Sequence, residues 1–117
     1  QVELHRATKV SQVRVAAAFD DWGIPTVKAL GNALSGAPGL PIIASGGLRT
    51  GVDIAKCLAI GATLAATAKP FLESAVVSVD AVIEVIHELT QELRISLLCA
   101  GAADIPSLQN IPLLKRE

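Results

Sequence analysis

Residues 40–68 read LPIIASGGLRTGVDIAKCLAIGATLAATA, and their pattern decides the fold. Residues 40–44 are a short, continuous apolar run, as expected of a strand buried on both faces. Ser45-Gly46-Gly47-Leu48-Arg49-Thr50-Gly51 follows directly, and helical spacing resumes through Ile54, Cys57 and Leu58 until Gly61. Residues 63–68 are small and apolar enough for a second buried strand. Lys69-Pro70 stops it, because proline can neither donate to a ladder nor continue a central strand. The unit is therefore βαβ, with parallel strands and a right-handed crossover expected.

Upstream, residues 25–34 place Pro25 at a first helical position and Val27, Leu30 and Leu34 at helical spacing. Residues 35–39, Ser-Gly-Ala-Pro-Gly, end that helix. Before it, Val10, Val13, Val15 and Phe19 are scattered and fit a strand or a loop flank equally well. Downstream, residues 79–100 carry Val82, Ile83, Ile86, Leu89, Leu93 and Leu97 in one stripe, which predicts a long amphipathic helix. Asp80, Glu84, Glu88 and Glu92 form an i,i+4 row, mildly repulsive and read as a solvated face. Gly101 is a natural stop. Residues 104–117 read as a short C-terminal extension in which Ile105-Pro106-Ser107 opens a further turn of helix.

The chain has 117 residues, of which 51% are hydrophobic, 3% aromatic and 18% charged, and its mean hydropathy is +0.52. It is shorter than the ~250 residues of a complete (β/α)₈ barrel. It is also apolar for a soluble chain, whose charged share averages about 25%. Either the core is large or some apolar surface belongs against something else. Ten basic against 11 acidic side chains give a net charge of −1, so no field draws nucleic acid or an anionic membrane. Residues 29–48 carry no charge, but Pro38, Pro41 and several glycines break them, so no transmembrane helix is expected. Charges in Gln1-Val2-Glu3-Leu4-His5-Arg6 sit where a signal peptide needs its apolar stretch, so export is not expected. The lack of methionine predicts a fragment or a processed piece.

Chemistry is best placed at residues 45–51, where a buried strand ends in two glycines and a helix begins. Glycines permit positive φ and let an anion approach the backbone, while the following helix offers N–H groups and its positive end. Gly46, Gly47, Leu48 and Arg49 offer such a run of N–H groups, and the Arg49 side chain adds a cation. On the glycines alone, a tight βα turn with Thr50 as cap and Asp53 completing an imperfect capping box is the favoured reading, because a lone Gly-Gly-x-Arg is a weak motif. If the two strands are successive and parallel, their ends bring residues 46–49 beside Ala68-Lys69. That is the phosphate position after strands seven and eight of a TIM barrel.

Other residues point to no chemistry. His5 and His87 lack a partner at metal or nucleophile spacing, and His87, mid-helix, reads as a boundary residue. Asp20-Asp21 reads as a cap or solvated turn. Cys57 and Cys99 have no C-x-x-C spacing and are expected to be inert, buried helix thiols in a reducing, cytoplasmic compartment. Ser45 is not in a nucleophile elbow.

At these residues the chain resembles the type 2, FMN-dependent isopentenyl-diphosphate isomerases. The matching stretches are Asp21-Trp22-Gly23-Ile24-Pro25-Thr26, Ile43-Ala44-Ser45-Gly46-Gly47-Leu48-Arg49-Thr50-Gly51, Asp53-Ile54-Ala55-Lys56, Ala59-Ile60-Gly61-Ala62 and Pro70-Phe71-Leu72. Glu92-Leu93-Arg94-Ile95 and Gly101-Ala102 resemble the last barrel helix and its end. Gly-Gly-Leu-Arg is shared by many FMN barrels, whereas Trp-Gly-Ile-Pro-Thr is more particular to this family. The likeness runs from about residue 19 to residue 114.

The resemblance implies the C-terminal part of a (β/α)₈ TIM barrel, strands seven and eight with their helices, incomplete alone. It implies that Gly47, Leu48 and Arg49 contact the FMN phosphate after strand seven, and Ala68 and Lys69 after strand eight. At position 69 the family often has Arg or Gly; lysine keeps the charge but loses the bidentate fork. The implied reaction interconverts isopentenyl and dimethylallyl diphosphate, with reduced FMN shuttling a proton, NADPH reducing the flavin and Mg²⁺ holding the substrate diphosphate. The implied enzyme is a cytoplasmic homo-oligomer. The family's Thr-Ser-Trp segment, flavin lysine, substrate glutamine and histidine and acidic Mg²⁺ ligand are not in this chain, so no catalytic or metal residue carries over. The chain alone is expected to be inactive, poorly soluble and self-associating, with the remainder of the barrel as its partner.

Two rivals stand beside this reading. A 2-hydroxy-acid oxidase-like FMN barrel shares the Gly-Gly-x-Arg loop but predicts a catalytic histidine close before it, and residues 6–45 contain none. A truncated interaction subunit would prefer neither FMN nor phosphate.

Overall fold

The computed structural model describes residues 10–113. The readings of His5, of residues 1–9 and of residues 114–117 lie outside them. The elements are α1 (Val10–Ala17), α2 (Thr26–Gly36), β1 (Ile43–Ala44), α3 (Gly51–Ile60), β2 (Leu64–Ala65), α4 (Lys69–Ala75), α5 (Val79–Ala100) and α6 (Ile105–Gln109). β1 and β2 are parallel, with Ile43 opposite Leu64 and Ala44 opposite Ala65. The ladder extends on both sides: Thr63 N–H donates to the Ile42 carbonyl and Ala66 N–H to the Ala44 carbonyl, each at 2.8 Å. The predicted βαβ unit is therefore present, with shorter strands.

Burial on both strand faces is not found. Ile42, Ala44 and Ala65 pack with Leu30, Leu34, Leu48, Cys57 and Ala62, between the strands and helices α2 and α3. Ile43 and Leu64, paired side by side, are 60% and 58% exposed. Successive strand side chains point to opposite faces, and helices cover only one face here. In a (β/α)₈ barrel the helix-free face is the interior, so Ile43 and Leu64 are interior residues of an incomplete barrel. No large side chain among the described residues is fully buried, which places the high hydrophobicity on an unclosed surface.

α3 is sandwiched between two cores. Its second face joins Ala55 and Leu58 to Ala102 and Leu108, with Leu93, Leu97 and Ile111 around them. α6, whose Asp104 cap accepts from Ser107 N–H, thus packs part of the C-terminal extension on α3. Thr50 and Asp53 form a complete reciprocal capping box rather than an imperfect one. α5 has the predicted bounds: Ser78 caps its start, and Gly101, left-handed at φ 72, closes its end.

Three local readings are corrected. Residues 10–17 form a helix without buried residues, neither strand nor loop. The β-branched valines favour a strand only where a neighbour supplies hydrogen bonds; without one, a helix satisfies the backbone locally. Lys69-Pro70 does not end β2, which stops at Ala65, but starts α4, where proline in the first turn has no helical hydrogen bond to lose. Cys57 is buried, but Cys99 is exposed, because it lies off the side of α5 that meets α3. Burial, together with the nearby Asp53 carboxylate, pushes the Cys57 thiol up. Native thiol titration of the chain followed by mass mapping is expected to modify Cys99 within minutes and Cys57 only after unfolding; equal rates would contradict this packing.

Candidate functional site

The two strand ends are tied together. Thr67 Oγ1 donates to the Leu48 carbonyl at 2.5 Å, so residues 46–49 lie beside Ala68 and Lys69. Leu48, 6% exposed, anchors the loop in the core. Gly46 and Gly47 have φ of +112° and +76°, a region that side chains with a Cβ rarely enter. From the other side, Thr26 Oγ1 donates to the Gly46 carbonyl at 2.6 Å.

The start of α3 is already occupied by the chain's own carboxylates. Asp53 Oδ2 accepts from the N–H groups of Arg49 and Thr50, each at 3.2 Å, and Thr50 Oγ1 accepts from Asp53 N–H at 3.1 Å. Burial raises the Asp53 pKa, but these hydrogen bonds, with help from Lys56, outweigh it and hold the carboxyl below its usual range. Gly51 N–H donates to Glu92 Oε2 at 2.5 Å. Glu92 therefore leaves the solvated row in which periodicity placed it and caps a neighbouring helix. Arg49 correspondingly contributes its side chain to any anion site, since its N–H is engaged.

Among the described residues, the N–H groups of Gly46, Gly47 and Leu48 have no protein acceptor. The Arg49 side chain is exposed. Lys69 Nζ lies 3.5 Å from Glu73 in an exposed i,i+4 pair, worth about 0.3–0.5 kcal/mol and easily exchanged for a stronger anion. The Ala68 cap of α4 adds no side-chain acceptor, leaving the first turn of that helix open. The two adjoining loops carry unengaged backbone donors at residues 46–48 and two exposed cations, a composition that suits a dianion, but no nucleophile, acid or base.

Residues named outside this loop stay apart from it. His87 is exposed on α5, beside Ile83, Glu84 and Glu88 in a shallow groove. Asp20 and Asp21 are exposed in a turn, and Trp22 meets Phe19 edge to face with ring centroids 6.1 Å apart. Ser45 is exposed. No group of three or more His, Cys, Asp or Glu among the described residues could hold a metal ion, and none of their helices is long and apolar enough to cross a membrane. Sequence reasoning missed Glu92 and α4. Pro70 in a first helical turn was the available signal for α4, whereas Glu92 is recognisable only from its approach to Gly51.

The comparisons agree with this architecture. A family model for FMN-dependent dehydrogenases matches residues 20–114. An isopentenyl-diphosphate delta-isomerase of Xanthobacter autotrophicus is 46% identical over 112 residues, 96% of this chain and 32% of that protein. One from Stutzerimonas stutzeri is 43% identical over 114 residues, 97% of this chain and 33% of that protein. The chain thus spans about a third of the length of these curated relatives. Among solved structures, a mandelate oxidase variant with a monooxide FMN adduct superposes with a TM-score of 0.70 at 25% identity, over 76% of this chain and 29% of that one. The resemblance read from the Trp-Gly-Ile-Pro-Thr and Gly-Gly-Leu-Arg segments is thereby supported over nearly the whole chain. With its parallel strand pair, its glycine loop after β1 and its unclosed inner face, the chain belongs to the FMN-dependent dehydrogenase family, as part of a (β/α)₈ barrel.

Proposed function

We propose that this chain supplies the FMN phosphate-binding loops, as the C-terminal part, of an enzyme that interconverts isopentenyl and dimethylallyl diphosphate. The observation that carries the reading is the Thr67–Leu48 hydrogen bond, which joins the two strand ends next to the loop whose N–H groups at residues 46–48 are unengaged. A phosphate dianion fits this donor set: Gly47 and Leu48 offer backbone donors, Arg49 and Lys69 offer charge, and Ala68 opens α4 without a competing side chain. TIM barrels frequently bind phosphate in the loops after strands seven and eight, together with the start of a short extra helix. The isomerase assignment, rather than an oxidase, rests on 43–46% identity to the isomerases against 25% to mandelate oxidase.

Reduced FMN, when bound, supplies proton transfer at the substrate double bond. The residues here hold its phosphate end, and Mg²⁺ on the substrate diphosphate belongs to the same proposal with no ligand assigned among the described residues. NADPH as reductant, a cytoplasmic setting and a homo-oligomeric state belong to the same proposal. The remainder of the barrel is the partner that covers Ile43 and Leu64.

Reading the coding region upstream of Gln1 tests the arrangement: an in-frame segment ending in Thr-Ser-Trp is expected. The full-length protein is expected to isomerise isopentenyl diphosphate with reduced FMN and Mg²⁺, while the purified 117-residue chain shows no turnover. Activity from the chain alone would refute the division of labour, and a full-length protein that binds FMN without isomerising would refute the substrate.

A further inference from the structure

We propose that Thr26 is a positioning residue that aims the Gly47 N–H at the flavin phosphate, a role that rests on reading residues 46–49 as the phosphate loop. Thr26 opens α2 at the end of the Trp-Gly-Ile-Pro-Thr segment. Its hydroxyl reaches across 20 positions of sequence to the Gly46 carbonyl. A trans peptide is planar, so its C=O and N–H point in opposite directions. Holding the Gly46 oxygen toward α2 therefore turns the Gly47 N–H away from α2.

The next pinned peptide in the loop shows the same geometry with its partner in place. Thr67 holds the Leu48 carbonyl, and the Arg49 N–H of that peptide meets Asp53 Oδ2 at 3.2 Å. Of the two N–H groups so oriented, only that of Gly47 has no acceptor among the described residues. The side-chain face of Gly47 is open as well, since a Cβ built there meets nothing within 4 Å. Position 46 is fitted to the same contact. A Cβ there would sit 3.0 Å from Thr26 Oγ1, and its φ is +112°. Thr26 and Gly46 thus form a matched pair that fixes one peptide plane, with no direct contact from Thr26 to the ligand required.

The test compares equilibrium binding of FMN and of riboflavin, which lacks the phosphate, by flavin fluorescence in the full-length protein. Thr26→Val and Thr26→Ala remove the donor, the second without branching; Thr26→Ser keeps it. Loss of one neutral hydrogen bond is expected to weaken FMN by about five- to tenfold while riboflavin stays within about twofold, and serine is expected to restore the native preference. Unchanged FMN affinity in the valine and alanine variants would overturn the role of Thr26 while leaving the native preference for FMN, and hence the loop reading, intact. So would a serine variant as weak as valine, or equal loss of both flavins. A native protein with no preference for FMN over riboflavin would overturn the loop reading and this inference together.

Discussion

Alanine at position 51 is expected to destabilise the fold by about 3 kcal/mol or more, at the upper end of what overpacking costs. Gly51 is buried at the start of α3, where that helix crosses α5. A Cβ there would lie 2.6 Å from Glu92 Cβ and from Leu93 N, and closer still to the Leu89 carbonyl. Two of these are backbone atoms of a continuous helix and cannot swing aside as a side-chain tip can. Separating the helices would draw the Gly51 N–H from Glu92 Oε2 and loosen the contacts of Ala55 and Leu58 with Leu93 and Leu97. Gly47→Ala provides the contrast: its φ of +76° makes alanine strained, but nothing stands within 4 Å, so about 1–2 kcal/mol is expected. Chemical denaturation of both variants in the full-length protein measures the difference. Equal losses would mean that the helix crossing at Gly51 yields, and that α5 does not hold the glycine loop in place.

The order β1, α3, β2 and α5 was legible because local punctuation marks it, Gly46-Gly47 after an apolar run, Thr50 with Asp53, Gly61, then Gly101, whereas α4, between β2 and α5, was not read. Those signals act within a few residues, and the structure keeps them. What the pattern did not carry depends on partners distant in sequence. The run at residues 40–44 reads as buried on both faces, yet none of the described residues buries the side chain of Ile43. Glu92 fits a solvated i,i+4 row with Asp80, Glu84 and Glu88; its difference arises where Gly51, 41 positions earlier in the chain, lets α3 approach. Cys99 lies on the long helix like the stripe residues, but rotation about the helix axis turns it from α3. The glycine loop was located correctly, while its donors were redistributed by Asp53, whose competition for the Arg49 N–H follows from the completed capping box.

That redistribution makes Arg49→Ala the most informative change for ligand binding. In the full-length protein it is expected to weaken FMN by about ten- to a hundredfold and to leave riboflavin within about twofold, the scale of losing a charge-assisted contact. With its N–H held by Asp53, Arg49 has a fixed backbone from which its exposed side chain projects, and the guanidinium makes no ion pair among the described residues. Lys69→Ala should cost less, because Lys69 would have to give up its pairing with Glu73 to meet a phosphate and would offer a point charge rather than a fork. Arg49→Lys should recover part of the affinity for the same reason. Raising salt should narrow the gap between native protein and Arg49→Ala, since an exposed cation is screened. If both flavins weaken together, Arg49 supports the fold rather than the phosphate. If neither weakens, the anion rests on the backbone donors of residues 46–48 and the open turn of α4, and the cation at position 49 faces some other group.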